Sequence, residues 1–115
     1  MDSLVDSFTT ELRRGTLTLA VLSQLKTPQY GYSLVQRLEE AGVAIEQSTL
    51  YPLLRRLEKQ ELLTSSWDTT ESRPRKYYVI SEYGIEIYEL LKNEWKTMTF
   101  ELKTLLEGDS EDEFD

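Results

Sequence analysis

Residues 46–60, EQSTLYPLLRRLEKQ, form a stretch whose residue types and spacing point to recognition chemistry. Ser48, Tyr51, Pro52, Arg55 and Lys59 fall at i, i+3, i+4, i+7 and i+11, which puts them on one face of a helix. That face offers hydroxyls, a phenol, a guanidinium and an ammonium, and no acid. On a short helix it suits a DNA major groove, where hydroxyls and Arg meet base edges and phosphates. The same pattern also describes an ordinary amphipathic helix with a wet side. On the opposite face Leu50, Leu53, Leu54 and Leu57 recur at helical spacing and must be buried. Ser48 or Thr49 is expected to cap the helix start with its side-chain oxygen. Pro52 then falls near the end of the first turn, where its missing N–H removes at most the first intrahelical bond.

The elements that must position this helix can be read on either side of it. Residues 8–26 predict a single first helix, with Phe8, Leu12, Leu19, Leu22 and Leu25 near one stripe and Leu17 and Val21 beside it. Gly15 lies inside this helix, where close approach of another backbone would explain it. Arg13 and Arg14 fall near the helix start and gain nothing there from the macrodipole. Thr27-Pro28-Gln29 breaks the helix. A second helix follows Tyr30-Gly31-Tyr32-Ser33 and ends near Gly42, a C-cap residue, with Leu34, Val35, Leu38 and Ala41 inward. Val43 to Ile45 connects it to the polar-faced helix, and the pair makes a helix-turn-helix.

Beyond that unit the period changes from helical to alternating. Residues 62–68 read as one strand and Arg75 to Ile80 as another, joined by a polar loop over Thr69 to Pro74. The whole is a mostly α fold with a two-stranded β-wing, a winged helix-turn-helix over residues 1–80. Arg73 sits at the wing tip, with Arg75 and Lys76 at its root. These bases can follow a phosphate backbone or enter a minor groove, or can simply protect a strand edge.

Ser81 caps a last, long helix over residues 81–107, which Gly108 is expected to end. Tyr88, Leu91, Trp95, Met98, Leu102 and Leu105 are spaced 3, 4, 3, 4, 3, the pattern of a heptad seam. The seam is too long for a small winged domain to cover, so it predicts a dimerisation helix and a homodimer; packing on the first helix is the other way to cover it. Trp95 either fills the dimer core or faces its copy across a slot. A slot lined by Leu91, Trp95 and Met98 would take a planar, hydrophobic, preferably cationic effector.

Composition limits the function classes. The chain has 115 residues, a net charge of −8 and neither Cys nor His. Disulfides, the usual zinc sites, thiol nucleophiles and imidazole bases are thereby excluded. No cofactor motif, metal site or catalytic residue group is found, and the expectation is that the chain is not an enzyme. No apolar run is long enough for a membrane span, and MDSLVDSF lacks the form of a signal peptide, which predicts a cytoplasmic protein. Six acids crowd residues 107–115 with no base among them, and without them the net charge is −2. Residues 108–115 are expected to form an acidic disordered tail. Six bases face four acids between Ser48 and Lys76. That mildly basic middle permits DNA binding.

The motifs resemble the PadR family of bacterial transcriptional regulators, over about Leu12 to Trp95. The resemblance rests on Tyr30-Gly31-Tyr32, on Ser48-Thr49-Leu50-Tyr51-Pro52-Leu53-Leu54-Arg55-Arg56-Leu57-Glu58, on Arg73-Pro74-Arg75-Lys76-Tyr77-Tyr78, and on Ser81 and Gly84 opening the last helix. It implies a winged-helix homodimer that represses a nearby promoter by binding double-stranded operator DNA. Ser48, Thr49, Tyr51 and Arg55 would approach DNA, with Arg73, Arg75 and Lys76 from the wing. Tyr32 and Ser33 would meet phosphate. The length is similar to that of the small subgroup with a single C-terminal helix. Some small members sense drugs and place a Trp at the position of Trp95, facing its copy across a pore for flat aromatic compounds. The reading from another function class is a winged-helix protein-interaction module without DNA binding, which the net charge of −8 favours.

Overall fold

The computed structural model of the chain describes residues 2–112, the last four as helix backbone only. The order of elements is α1 (Ser3–Arg14), α2 (Leu17–Ser23), β1 (Gln29–Tyr30), α3 (Gly31–Glu40), α4 (Gln47–Lys59), β2 (Leu63–Asp68), β3 (Arg75–Ile80) and α5 (Glu82–Asp112). The core gathers the inward stripes of the helices against the sheet. Val21, Leu22 and Leu25 meet Leu34 and Leu38 from α3, Leu50, Leu53, Leu54 and Leu57 from α4, and Leu63, Tyr78 and Ile80 from the sheet. The Leu stripe of α4 is therefore buried as its spacing requires. Ala41, expected on the inner face of α3, is exposed.

The expected first helix is two helices. Thr16 turns back on the last turn of α1, its N–H and hydroxyl both donating to the Arg13 carbonyl at 3.1 and 3.0 Å. A hydroxyl bonding locally in this way competes with the helix ladder, and the chain breaks at Gly15-Thr16. A Cβ on Gly15 would meet nothing within 4 Å, so no close backbone approach explains that glycine. The break also moves Arg13 and Arg14 to the last turn of α1, where they complement the helix dipole. At the other end Asp2 caps α1, its carboxylate accepting from the Leu4 N–H at 2.8 Å. Phe8 and Leu12, read near one stripe with Leu19, Leu22 and Leu25, are exposed, as are Leu4 and Val5; α1 buries no residue.

A Schellman turn ends α3. The Gly42 N–H donates to the Glu39 carbonyl and the Val43 N–H to the Leu38 carbonyl at 2.8 Å, with Gly42 at φ +88°. The same turn ends α4, but there the left-handed position is held by Glu61 at φ +68°. The start of α4 corrects the expected cap. The helix begins at Gln47, because the Glu46 carbonyl accepts from both the Thr49 and Leu50 N–H groups. Ser48 and Thr49 are thus inside the first turn, and the Ser48 hydroxyl donates to the Glu46 carboxylate at 3.3 Å. Pro52 lies in the second turn and deprives the Ser48 carbonyl of its amide donor.

The sheet has three antiparallel strands in the order β1-β3-β2. The wing hairpin is as expected, with Leu63 opposite Ile80 and Asp68 opposite Arg75. The added strand β1 pairs Gln29 with Tyr78 and Tyr30 with Tyr77, which fixes the residues before α3 to the wing. Ser81 opens α5 as expected, its hydroxyl accepting from the Gly84 N–H at 2.9 Å and donating to the Glu61 carbonyl at 2.7 Å. Helix α5 passes through Gly108 and does not end there. Glu113 to Asp115, the remainder of the expected disordered tail, lie outside the described residues.

Candidate nucleic-acid interface

The outer face of α4 is open. Ser48, Thr49, Pro52, Arg55 and Lys59 are exposed, while Tyr51 is half-buried and packs on the core. Tyr51 owes its position to Gly31. A Cβ on Gly31 would lie 2.5 Å from both Cε1 and the hydroxyl of Tyr51, so the phenol occupies the space a side chain would take. Tyr32 stands exposed and Ser33 half-buried in the first turn of α3, beside this site. Among the described residues the ion pairs are Lys76–Glu58 and Lys92–Glu89, so Arg55, Lys59, Arg73 and Arg75 are in none.

Strand alternation splits the two bases at the wing root. Adjacent residues point to opposite faces. Lys76 lies on the face toward α4, where its Nζ is 3.3 Å from Glu58 Oε1 and 5.3 Å from the centre of the Tyr78 ring. Ser65 also donates to the Glu58 carboxylate. That bond and then Lys76 hold the Glu58 carboxyl below its ordinary range. Lys76 is therefore a strut between recognition helix and wing. Arg75 lies on the other face, its guanidinium carbon 3.9 Å from the centre of the Tyr30 ring.

Tyr30 belongs to a cluster that the sequence reading did not reach. Its hydroxyl donates to Asp68 Oδ2 at 2.6 Å, and Tyr77 meets its ring edge to face at 5.9 Å. Asp68 Oδ1 accepts from the Thr70 N–H at 3.1 Å and the Thr70 hydroxyl at 2.7 Å. The Tyr30 hydrogen bond, then those from Thr70, pull the Asp68 carboxyl down to about 2. The same bond raises the Tyr30 phenol above its ordinary value. Tyr30 and Asp68 are 38 residues apart, so no spacing rule links them.

The heptad positions of α5 divide. Tyr88 is buried against the body, with Lys26 and Lys92 each 5.2 Å from its ring centre. Leu91, Trp95, Met98, Leu102 and Leu105 are exposed along one stripe. The seam is thus closed within the chain at its first position and open beyond it. No helix among the described residues is long and apolar enough to cross a membrane.

A helix-turn-helix, an open recognition face and a β-hairpin wing together define a winged-helix DNA-binding regulator. Residues 18–90 match the Transcriptional regulator PadR-like family, and the chain belongs to that family. The crystal structure of a PadR family transcriptional regulator from Eggerthella lenta is similar at 48% identity and a TM-score of 0.87, covering 91% of this chain and 94% of that one. A PadR-like transcriptional regulator from Bacillus cereus is similar at 28% identity and a TM-score of 0.75, over 84% and 96% of the two chains. An uncharacterised protein of Lysinibacillus sphaericus is 29% identical over 103 residues, which span 85% of this chain and 94% of that protein.

Proposed function

We propose that the chain is a homodimeric repressor that works in the cytoplasm and reads a two-fold symmetric operator. The observation that carries the reading is the recognition face of α4, exposed and, among the described residues, without an ion pair at Arg55 or Lys59. Ser48, Thr49, Tyr51 and Arg55 enter the major groove, Tyr32 and Ser33 meet phosphate, and Arg73 and Arg75 extend the contact from the wing. Lys76 supports the wing from behind. Residues 1–80 are the DNA-binding unit, and α5 joins two copies. Two uncovered apolar stripes support the dimer, one on α5 and the other, Leu4, Val5, Phe8 and Leu12, on α1. A planar hydrophobic effector lies between the copies at Leu91, Trp95 and Met98. It releases DNA by favouring a different separation of the two recognition helices.

Footprinting together with sedimentation tests this reading. A dimer should protect two half-sites about 10–10.5 bp apart, or a multiple of that. One asymmetric half-site bound by a monomer would overturn it. Absence of any protected DNA would favour the protein-interaction module. For the effector, planar cationic dyes should quench the fluorescence of the wild type more than that of Trp95→Ala, in which Trp67 remains. Equal quenching would make Trp95 a core residue.

A further inference from the structure

Asp68 faces Arg75 directly across the hairpin, yet the two form no ion pair. A cross-strand carboxylate and guanidinium are normally natural partners. What separates them is the cluster around Tyr30. Oδ2 of Asp68 accepts from the Tyr30 hydroxyl, and Oδ1 accepts twice from Thr70. Both oxygens are engaged away from Arg75. The guanidinium carbon instead lies 3.9 Å from the centre of the Tyr30 ring, and Arg75 stays exposed.

We propose that Tyr30 is a positioning residue that keeps Asp68 from capturing Arg75 and holds the Arg75 guanidinium ready for a DNA phosphate. This rests on the DNA-binding reading above. One side chain does both tasks. Its hydroxyl occupies the competing carboxylate, and its ring is the platform. A guanidinium stacked on a ring keeps its N–H edges free, and an edge is what a phosphate binds. The rotamer freedom of a long side chain is already restricted before DNA arrives, so less is lost on binding. Strand β1 makes this possible: pairing Tyr30 with Tyr77 sets the phenol beside the wing at the residue before the first turn of α3. The wing base and the helix-turn-helix therefore share one polar joint.

The test uses salt dependence, which counts phosphate contacts and does not respond to a general loss of stability. The probe is a duplex selected from a random-sequence library by the wild-type chain, titrated between about 50 and about 200 mM salt. Arg75→Ala should lower the magnitude of the slope of log affinity against log salt by about 1.8, the value of one phosphate contact from each copy of the dimer. Tyr30→Phe keeps the ring but frees Oδ2. It should lower affinity about tenfold and lower the slope by the same amount as Arg75→Ala, because Asp68 now pairs with Arg75. Tyr30→Phe/Asp68→Asn cannot form that pair and should recover the wild-type slope. Asp68→Asn alone should keep it.

A wild-type slope from Tyr30→Phe would overturn the proposal, as would failure of the double variant to recover. An unchanged slope in Arg75→Ala would also overturn it, since no phosphate would then be at stake. If the wild type selects no duplex, the DNA-binding reading itself fails, and the proposal with it. Should Tyr30→Phe melt well below the wild type, a wild-type slope from Asp68→Asn together with a reduced slope from Thr70→Ala, which leaves Oδ1 only the backbone N–H of residue 70, supports the proposal. A wild-type slope from Thr70→Ala overturns it in that case.

Discussion

Replacing Gly31 by Ala tests how the recognition face is built. The added Cβ would sit 2.5 Å from Cε1 and the hydroxyl of Tyr51 and 2.7 Å from Cζ. These separations are about 1 Å short of ordinary carbon contact. Either the ring stays and the packing is strained, or the ring swings out. Strain of this kind costs about 1–3 kcal/mol. The gain from Ala over Gly in a helix, up to about 1 kcal/mol in an interior, is smaller at Gly31, the first residue of α3. A net loss of about 1–2 kcal/mol in stability is therefore expected if the ring stays. If it leaves, the strain is relieved but the ring's contacts with the core are lost, and operator affinity falls by about 1–3 kcal/mol for the misplaced base contact. Urea unfolding and operator titration, run on the same preparations, measure the two losses. Tyr51→Ala removes the obstacle, so in Tyr51→Ala/Gly31→Ala the glycine substitution should cost little. The coupling should be about 1 kcal/mol or more. Two additive single effects, or a Gly31→Ala protein that is wild type in both stability and affinity, would refute the claim that Gly31 seats Tyr51.

Other consequences follow from single residues. Glu61 holds a left-handed turn position at φ +68°, so Glu61→Gly should stabilise the chain by about 0.5–1 kcal/mol in urea unfolding; no gain would mean that the turn carries no strain. Lys76 is paired to Glu58, so Lys76→Ala should hardly change the salt slope of DNA binding, whereas Arg73→Ala, in both copies of the dimer, should lower its magnitude by about 1.8; equal slopes for the two variants would count against the strut. The Asp68 carboxyl is depressed from its ordinary value to about 2, so its bonds to Tyr30 and Thr70 stabilise the wing fully above pH 4 and are lost as pH falls toward 2. Trp67 emission in a Trp95→Phe background should therefore change in that window before the core melts; a change only at global unfolding would show that the wing does not depend on Asp68.

The elements most legible in the sequence are those whose pattern is long. The Leu stripe of α4 and the heptads of α5 repeat often enough to fix both type and face. The aromatic and β-branched run from Arg75 to Ile80 marks β3 as clearly. Strand β1 could not be read because two residues between Pro28 and Gly31 carry no period. The break between α1 and α2 was hidden for another reason. Phe8 and Leu12 stay in phase with Leu19 and Leu22, so the stripe runs on where the helix does not. The cap of α4 misled because Ser is the better capping residue, while the Glu46 backbone does the capping and the Ser48 hydroxyl turns to the Glu46 carboxylate. Separation of Arg75 from Lys76 was implicit in strand alternation. The bonds of Tyr30 to Asp68 and of Glu58 to Lys76 were not, because they are tertiary.

Those tertiary bonds bear on how an acidic chain can hold DNA. A net charge of −8 opposes approach to a polyanion, and what matters near the duplex is which charges lie within a Debye length of about 8–10 Å. Six of the acids fall in the last nine residues, beyond the Trp95 region of α5 and distant in sequence from the wing. Of the four acids between Ser48 and Lys76, Glu58 turns its oxygens to Ser65 and Lys76, and Asp68 turns its own to Tyr30 and Thr70. Neither pairs with a base on the proposed DNA face. Arg55, Lys59, Arg73 and Arg75 therefore reach that face without an ion-pair partner among the described residues. Phosphate contacts carry no sequence, so discrimination between sequences must come from α4, from the exposed Ser48 and Thr49 hydroxyls and Arg55 guanidinium and the half-buried Tyr51 phenol.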